Sequence, residues 1–223
     1  RYRGLSRFRK MKELIEEGRL GTPVYIRFTE MREVRPKLAM HRRSANGGPV
    51  HDMSGHLFDL ARFLTGGEAT SVAAQGAVFG QGKERLQSVS DFGVDTAEIQ
   101  VRFAGGHGLS IGIGWGLPED TLGHCQDLIH GPKGIMYSED AANPGRFLGD
   151  AAESASLVIK DGAGLTHIDC GPDNDGPHVC IDELLHSIRS GTRSQFDGIE
   201  GRTALRLVLA ALEATETGGI VDL

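Results

Sequence analysis

Apolar residues recur along this chain in two rhythms, and the change of rhythm divides it. After Ser6, the residues Phe8, Met11, Leu14 and Ile15 fall on one helical stripe that stops at Gly18. Its cations come first and its acids last, against the helix dipole, so tertiary contacts must hold it. Val24, Ile26 and Phe28 then alternate with Tyr25, Arg27 and Thr29, the period of a half-buried strand. Residues 35–48 are polar, basic and turn-rich, and read as a loop. Pro49 through Leu64 reads as a second helix, with Met53, Leu57, Leu60, Ala61 and Leu64 as its core face and Gly66 as its stop.

Alternation then takes over, predicting strands over roughly 69–79, 95–103, 108–115, 123–130, 133–138, 156–160 and 165–169. Ala104-Gly105-Gly106-His107 joins two of them as a hairpin turn. Residues 139–154 and 170–177 read as loops. Pro177 opens a helix with expected core positions Ile181, Leu184, Leu185 and Ile188, closed by Gly191. Asp197 and Glu200 have the spacing of a capping box for a last helix, which should bury Ala204, Leu205, Val208, Ala211 and Leu212. Ile220 to Leu223 adds a short strand. Consecutive strands flanked by helices predict an α+β fold: a large, predominantly antiparallel sheet with helices packed on one face.

Composition narrows the function classes. The chain has 223 residues, a formal net charge of −6 and 32 glycines. That is about twice the usual share of glycine, and hairpin turns and close-packed strands account for part of it. The acidic balance argues against general nucleic-acid binding. The six cations among the first twelve residues read as a solvated or interdomain face, or as an anion contact. No apolar run reaches the ~18 residues of a membrane span, and no signal-peptide pattern opens the chain. Cys125, Cys170 and Cys180 are odd in number and form no C-x-x-C, which points to a reducing, cytoplasmic setting. The first Met is Met11, so we expect part of a longer protein.

Candidate chemistry concentrates between Gly47 and Asp59. On a helix Asp52, His56 and Asp59 share one stripe. A carboxylate beside an imidazole should raise its proton affinity and fix its orientation, making a proton-transfer pair. The alternative is structural: Asp52 as a first-turn acid compensating the dipole, and His56 as a bonded, half-buried residue. A metal reading through His51, Asp52 and His56 is disfavoured because His51 and Asp52 point about 100° apart, and no metal is expected. There is no G-x-G-x-x-G and no G-x-x-x-x-G-K-[ST]. Trp115, the only Trp, ends a strand and reads as a core or lid residue, or as a sugar-stacking surface.

Four stretches, in order along the chain, resemble one family. They are Met11 to Pro23 (MKELIEEGRLGTP), Gly47-Gly48-Pro49…Asp52…His56 through Gly66, Ile129 to Gly134 (IHGPKG), and Asp197-Gly198…Ala204-Leu205. They resemble the C-terminal domain of the Gfo/Idh/MocA oxidoreductases. The resemblance implies the related C-terminal folds of dihydrodipicolinate reductase and glyceraldehyde-3-phosphate dehydrogenase. It also implies that residues 1–223 form a substrate-binding and oligomerisation domain, with the N-terminal Rossmann domain of the same protein absent from this chain. That domain would bind most of the NAD or NADP and would supply a catalytic Lys. Asp52 and His56 fall on the family's D-x-x-x-H pair, and the cofactor-binding residues lie mainly outside this chain. Arg3 and Trp115 fall near substrate-facing positions, and the loop carrying Lys37, His41, Arg42 and Arg43 should vary with substrate. The implied partners are a sugar, inositol or other polyol and further copies of the chain, as a homodimer or homotetramer through the sheet. A non-catalytic binding module and an NAD-dependent glycoside hydrolase stand as alternatives.

Overall fold

A computed structural model describes residues 1–139, 147–173 and 176–223; parts of the expected loops 139–154 and 170–177 lie outside them. Nine strands form one sheet in the order β8-β7-β6-β5-β1-β4-β3-β2-β9. They are β1 (Tyr25–Glu33), β2 (Ala69–Ala77), β3 (Thr96–Phe103), β4 (Gly108–Leu117), β5 (His124–Gly131), β6 (Gly134–Ser138), β7 (Ala155–Asp161), β8 (Gly164–Gly171) and β9 (Ile220–Asp222). Every neighbouring pair is antiparallel except β1 with β4. The α+β sheet expected from the alternation is therefore present, with one parallel pair at its centre.

The helices are α1 (Ser6–Glu16), α2 (Arg43–Asn46), α3 (Pro49–Thr65), α4 (Gly176–Ser190) and α5 (Gly198–Thr217). Strand periodicity fixes which sheet face they cover. Ile26 and Phe28 of β1, Ile99 and Val101 of β3, and Ile111 and Ile113 of β4 point to one side and are buried with Leu57, Phe58 and Leu60 of α3. Glu98, Gln100 and Arg102 alternate to the open side. On that side a groove of about 800 Å³ runs between Tyr25, Arg27 and His130 and the opposing Arg102. Gly114 sits in β4 where a Cβ would lie 2.7 Å from the Met31 sulfur, so its smallness serves sheet packing.

Helix α1 is held by tertiary contacts, as its reversed charges require. Arg7 is buried and pairs with Asp173, and it donates to the carbonyls of Leu148 and Asp150 at 2.6 and 2.9 Å. Asp197 caps α5, accepting from the N–H groups of Ile199 and Glu200 at 2.9 and 3.0 Å. Glu200 does not complete the box, because its carboxylate is taken by Arg3 and Arg62.

Two helical expectations need correction. Ile181, Leu184, Leu185 and Ile188 of α4 are 43–68% exposed, not core. In α5, Leu205 is exposed and Leu207 is buried in its place. Periodicity identifies an apolar stripe, but only packing decides what covers it. The segment 35–48, expected as a loop, holds a turn of 3₁₀ helix (Leu38–Met40) and the short α2. No disulfide joins the three cysteines, and no helix among the described residues is long and apolar enough to cross a membrane.

Candidate active site

The chain reaches α3 through Gly47 and Gly48, whose φ values of +75° and +99° suit glycine. A Cβ on Gly48 would stand 2.7 Å from the backbone of Gly93, so the turn also packs where only glycine fits. Val50 N–H donates to the Val94 carbonyl at 3.0 Å and ties the first turn of α3 to the lead into β3. Pro49 sits where its missing N–H costs nothing, and Asp52 stands in the positive first turn. These contacts set the direction in which the Asp52 and His56 side chains leave the helix.

His56 is exposed along one side and stacked on the other. Its imidazole lies 5.2 Å from the Tyr2 ring, 19° from parallel, and Tyr2 stacks in turn on Phe8 at 6.3 Å. The Tyr2 hydroxyl approaches the Met53 sulfur at 3.9 Å. Burial, then the negative charge of Glu30, raises the Tyr2 pKa far above its ordinary value, so the phenol stays neutral. The Asp52 carboxylate accepts from Asn46 Nδ2 at 2.7 Å.

Asp52 pulls the proton affinity of His56 upward, as expected, but it does not decide the net shift. The His56 pKa lies below its ordinary value. Burial of its ring by the protein lowers it, against the opposing pull of Asp52 and Asp59. At neutral pH His56 is thus a neutral imidazole with a face open to solvent.

The remaining expected residues divide. Arg3 is 6% exposed, and its donors go to Asp59 (2.9 Å from Nε), Glu200 (3.0 Å) and the Gln195 carbonyl (3.0 Å). It clamps the 3₁₀ turn Tyr2–Gly4 to α3 and α5. His41 is fully buried, its Nε2 within 3.1 Å of the Arg35 N–H, and burial lowers its pKa. It organises the loop and does not face solvent. Arg42 donates to the Ser88 carbonyl at 3.2 Å and ties the loop to the segment between β2 and β3. Lys37 is exposed. Trp115 is 4% exposed and meets Phe147 edge-on at 6.2 Å. Asp52 and His56 are therefore together on α3, while Trp115 sits at the end of β4. Sequence reasoning missed Tyr2 and Phe147, because ring stacking between residues this distant in the chain leaves no local pattern.

Among the described residues no three His, Cys, Asp or Glu side chains gather in a metal-ligating group. A dinucleotide needs a strand-to-helix turn whose glycines leave backbone N–H groups open to the pyrophosphate. At the glycine pair before α3 that space is filled by Gly93 and Val94. The described residues do not fit the main site of such a cofactor.

The model of the GFO/IDH/MocA C-terminal domain family matches residues 8–137. An uncharacterised oxidoreductase of Bacillus subtilis, YrbE, is 37% identical over 95% of this chain and 58% of its own length. The myo-inositol 2-dehydrogenase of Thermotoga maritima is 28% identical over 94% of this chain, again 58% of its own length. The chain thus spans a little over half the length of the curated relatives it matches. Among solved structures, an aldose-aldose oxidoreductase of Caulobacter crescentus complexed with glycerol covers the whole chain at TM-score 0.78 and 20% identity, over 62% of its own length. A levoglucosan dehydrogenase solved with NADH covers 95% of the chain and 61% of its own length, at TM-score 0.73 and 18% identity. Because that family model matches more than half of the chain, the chain belongs to the GFO/IDH/MocA C-terminal domain family.

Proposed function

We propose that this chain is the substrate-binding half of an NAD(P)-dependent oxidoreductase that acts on a CH–OH group of a sugar, inositol or related polyol. The observation that carries the reading is the state of His56: neutral, open on one side, stacked on Tyr2, and one helical turn from Asp52. Neither of its ring nitrogens is hydrogen-bonded within the described residues, so one is available to a substrate hydroxyl. A nitrogen lone pair on neutral imidazole accepts the hydroxyl proton as the alcohol is oxidised and returns it in the reverse direction. Asp52, anchored by Asn46, faces the imidazolium that forms and stabilises its charge. Tyr2 fixes the plane of the ring. The names of the relatives, inositol 2-dehydrogenases among them, support the substrate class.

The hydride carrier would be held chiefly by an N-terminal dinucleotide-binding domain of the same protein. We read the open face of the sheet as the surface through which copies associate as a homodimer or homotetramer. Light scattering on Arg27→Glu against the parent protein tests that part.

The test of the chemistry is His56→Gln in the full-length protein, assayed with NAD and NADP across inositols and aldoses. The expected result is a fall in kcat of about 10²–10⁴-fold with KM little changed. A near-normal kcat would remove His56 from the reaction.

A further inference from the structure

The segment between β6 and β7 reaches the Asp52/His56 site through the ring beneath the imidazole. Tyr2 is 6% exposed, and its edge lies against Gly149. A Cβ at position 149 would overlap Cε1 and Cζ of the Tyr2 ring and stand 2.6 Å from its hydroxyl oxygen. Gly149 carries no positive φ. Glycine is required there by space alone, because the ring already fills the room a side chain would take.

The backbone at Gly149 is held on both sides. Arg7 Nη2 donates to the carbonyls of Leu148 and Asp150, the two residues flanking it, at 2.6 and 2.9 Å. The Leu148 N–H donates to the Glu30 carboxylate at 3.1 Å and ties the same turn to β1. Further on, the Ala152 N–H donates to Asp173 at 3.1 Å. Asp173 is also the ion-pair partner of Arg7, and it accepts from the Ser6 hydroxyl at 2.9 Å. Arg7 and Asp173 are both buried. A planar guanidinium serves the carboxylate and both carbonyls at once, which the point charge of a lysine does not. Helix α1 thus fixes the backbone around Gly149, and Gly149 limits where the Tyr2 ring can lie. That ring is 5.2 Å from the His56 imidazole.

We propose that Arg7 and Gly149 are positioning residues for proton transfer at His56: they hold Tyr2 against the imidazole and so set the plane in which it meets a substrate hydroxyl. Both act through Tyr2. This deepens the reading of His56 as the proton acceptor, on which it rests. A base must lie within hydrogen-bond reach of the proton it takes, so a small displacement of its ring costs rate more than binding. The same stack covers one face of the imidazole, so loosening it also moves the titration of His56.

Gly149→Ala in the full-length protein tests the proposal, with Tyr2→Leu and the double variant completing a cycle. The readouts are an NMR titration of the His56 ring protons, and kcat and KM against pH. Gly149→Ala should raise the His56 titration midpoint by ~0.5 or more, toward its ordinary value. It should also lower kcat about tenfold with KM nearly unchanged. In the Tyr2→Leu background the same alanine should add nothing to either, because the ring it displaces is gone. Arg7→Lys keeps a cation beside buried Asp173 but does not serve both carbonyls, and should give the same signs at smaller size. A His56 titration unchanged in both Gly149→Ala and Arg7→Lys would overturn the proposal, as would an effect of Gly149→Ala that persists in full without Tyr2. The titration needs no turnover. If it moves as expected while His56→Gln keeps a near-normal kcat, the hold on His56 stands and its reading as proton acceptor alone is lost.

Discussion

The Tyr2 ring lies under the His56 imidazole, 5.2 Å between centres and 19° from parallel, and so joins the first turn of the chain to the middle of α3. Ring stacking restricts the imidazole to one plane and covers one of its faces, which favours the uncharged form. Tyr2→Leu should therefore raise the His56 pKa toward its ordinary value. Asp52→Asn should move it the other way, since the Asp52 charge pulls it upward. An NMR titration of the His56 ring protons reads both signs, and opposite shifts are the expected outcome.

The clamp around Arg3 predicts a stability effect separable from activity. Arg3 and Arg62 share Glu200, and Arg3 also holds Asp59. Burial pushes the Glu200 pKa up, but hydrogen bonds from both arginines more than reverse it, so the net shift is downward. Its contribution is thus present above the unfolded carboxylate pKa of 4.5 and is lost as pH falls through the lower folded value. Arg3→Met should cost about 1–3 kcal/mol, below the range for a fully buried pair because both acids are partly exposed. Urea unfolding at pH 7 and at progressively lower pH measures it, and the gap between the two proteins should narrow on acidification.

Two histidines tilt the pH dependence in the same direction. Burial lowers the pKa of His41 and of His56 below 6.5. The unfolded chain then binds protons more tightly than the folded one, and stability should fall as pH drops below 6.5. His41→Gln should flatten that slope in thermal unfolding between pH 7 and 5. An unchanged slope would show that His41 is not the group responsible.

Gly48 carries a positive φ and stands against the Gly93 backbone. Gly48→Ala combines conformational strain with overlap, and should cost at least about 1–3 kcal/mol. The displaced start of α3 should also disturb the Tyr2–His56 stack, seen as changed ring-proton shifts of His56. A fully native spectrum would mean that the turn does not position the site.

Helices α4 and α5 should respond to substitution in opposite ways. Leu207 is 1% exposed, and Leu207→Ala should cost about 2–5 kcal/mol. Ile188 is 68% exposed, and Ile188→Lys should change the stability of this chain by less than about 0.5 kcal/mol. Paired urea unfolding curves distinguish the two.

The fold was largely legible in the residue pattern, because alternation in β1, β3 and β4 states directly which side chains face the helices. The Asp52/His56 helix was legible too, since its spacing and its Gly-Gly-Pro entry are local. The electrostatic outcome was not. The sign of the His56 shift depends on burial by the folded chain, which opposes the carboxylate four positions away. The same limit applies to α4, where the stripe of Ile181, Leu184, Leu185 and Ile188 was correct as a pattern and wrong as core.

Sequence alone therefore determined what depends on near neighbours: strand periods, helix stops, the cap at Asp197 and the placement of Asp52 and His56 one turn apart on α3. Tertiary structure decided what depends on distant ones. It turned Arg3 into a clamp, buried His41 inside its loop and set Tyr2 beneath His56. Covalent geometry makes side-chain direction a local property, whereas desolvation and charge pairing are set by whatever the folded chain brings alongside.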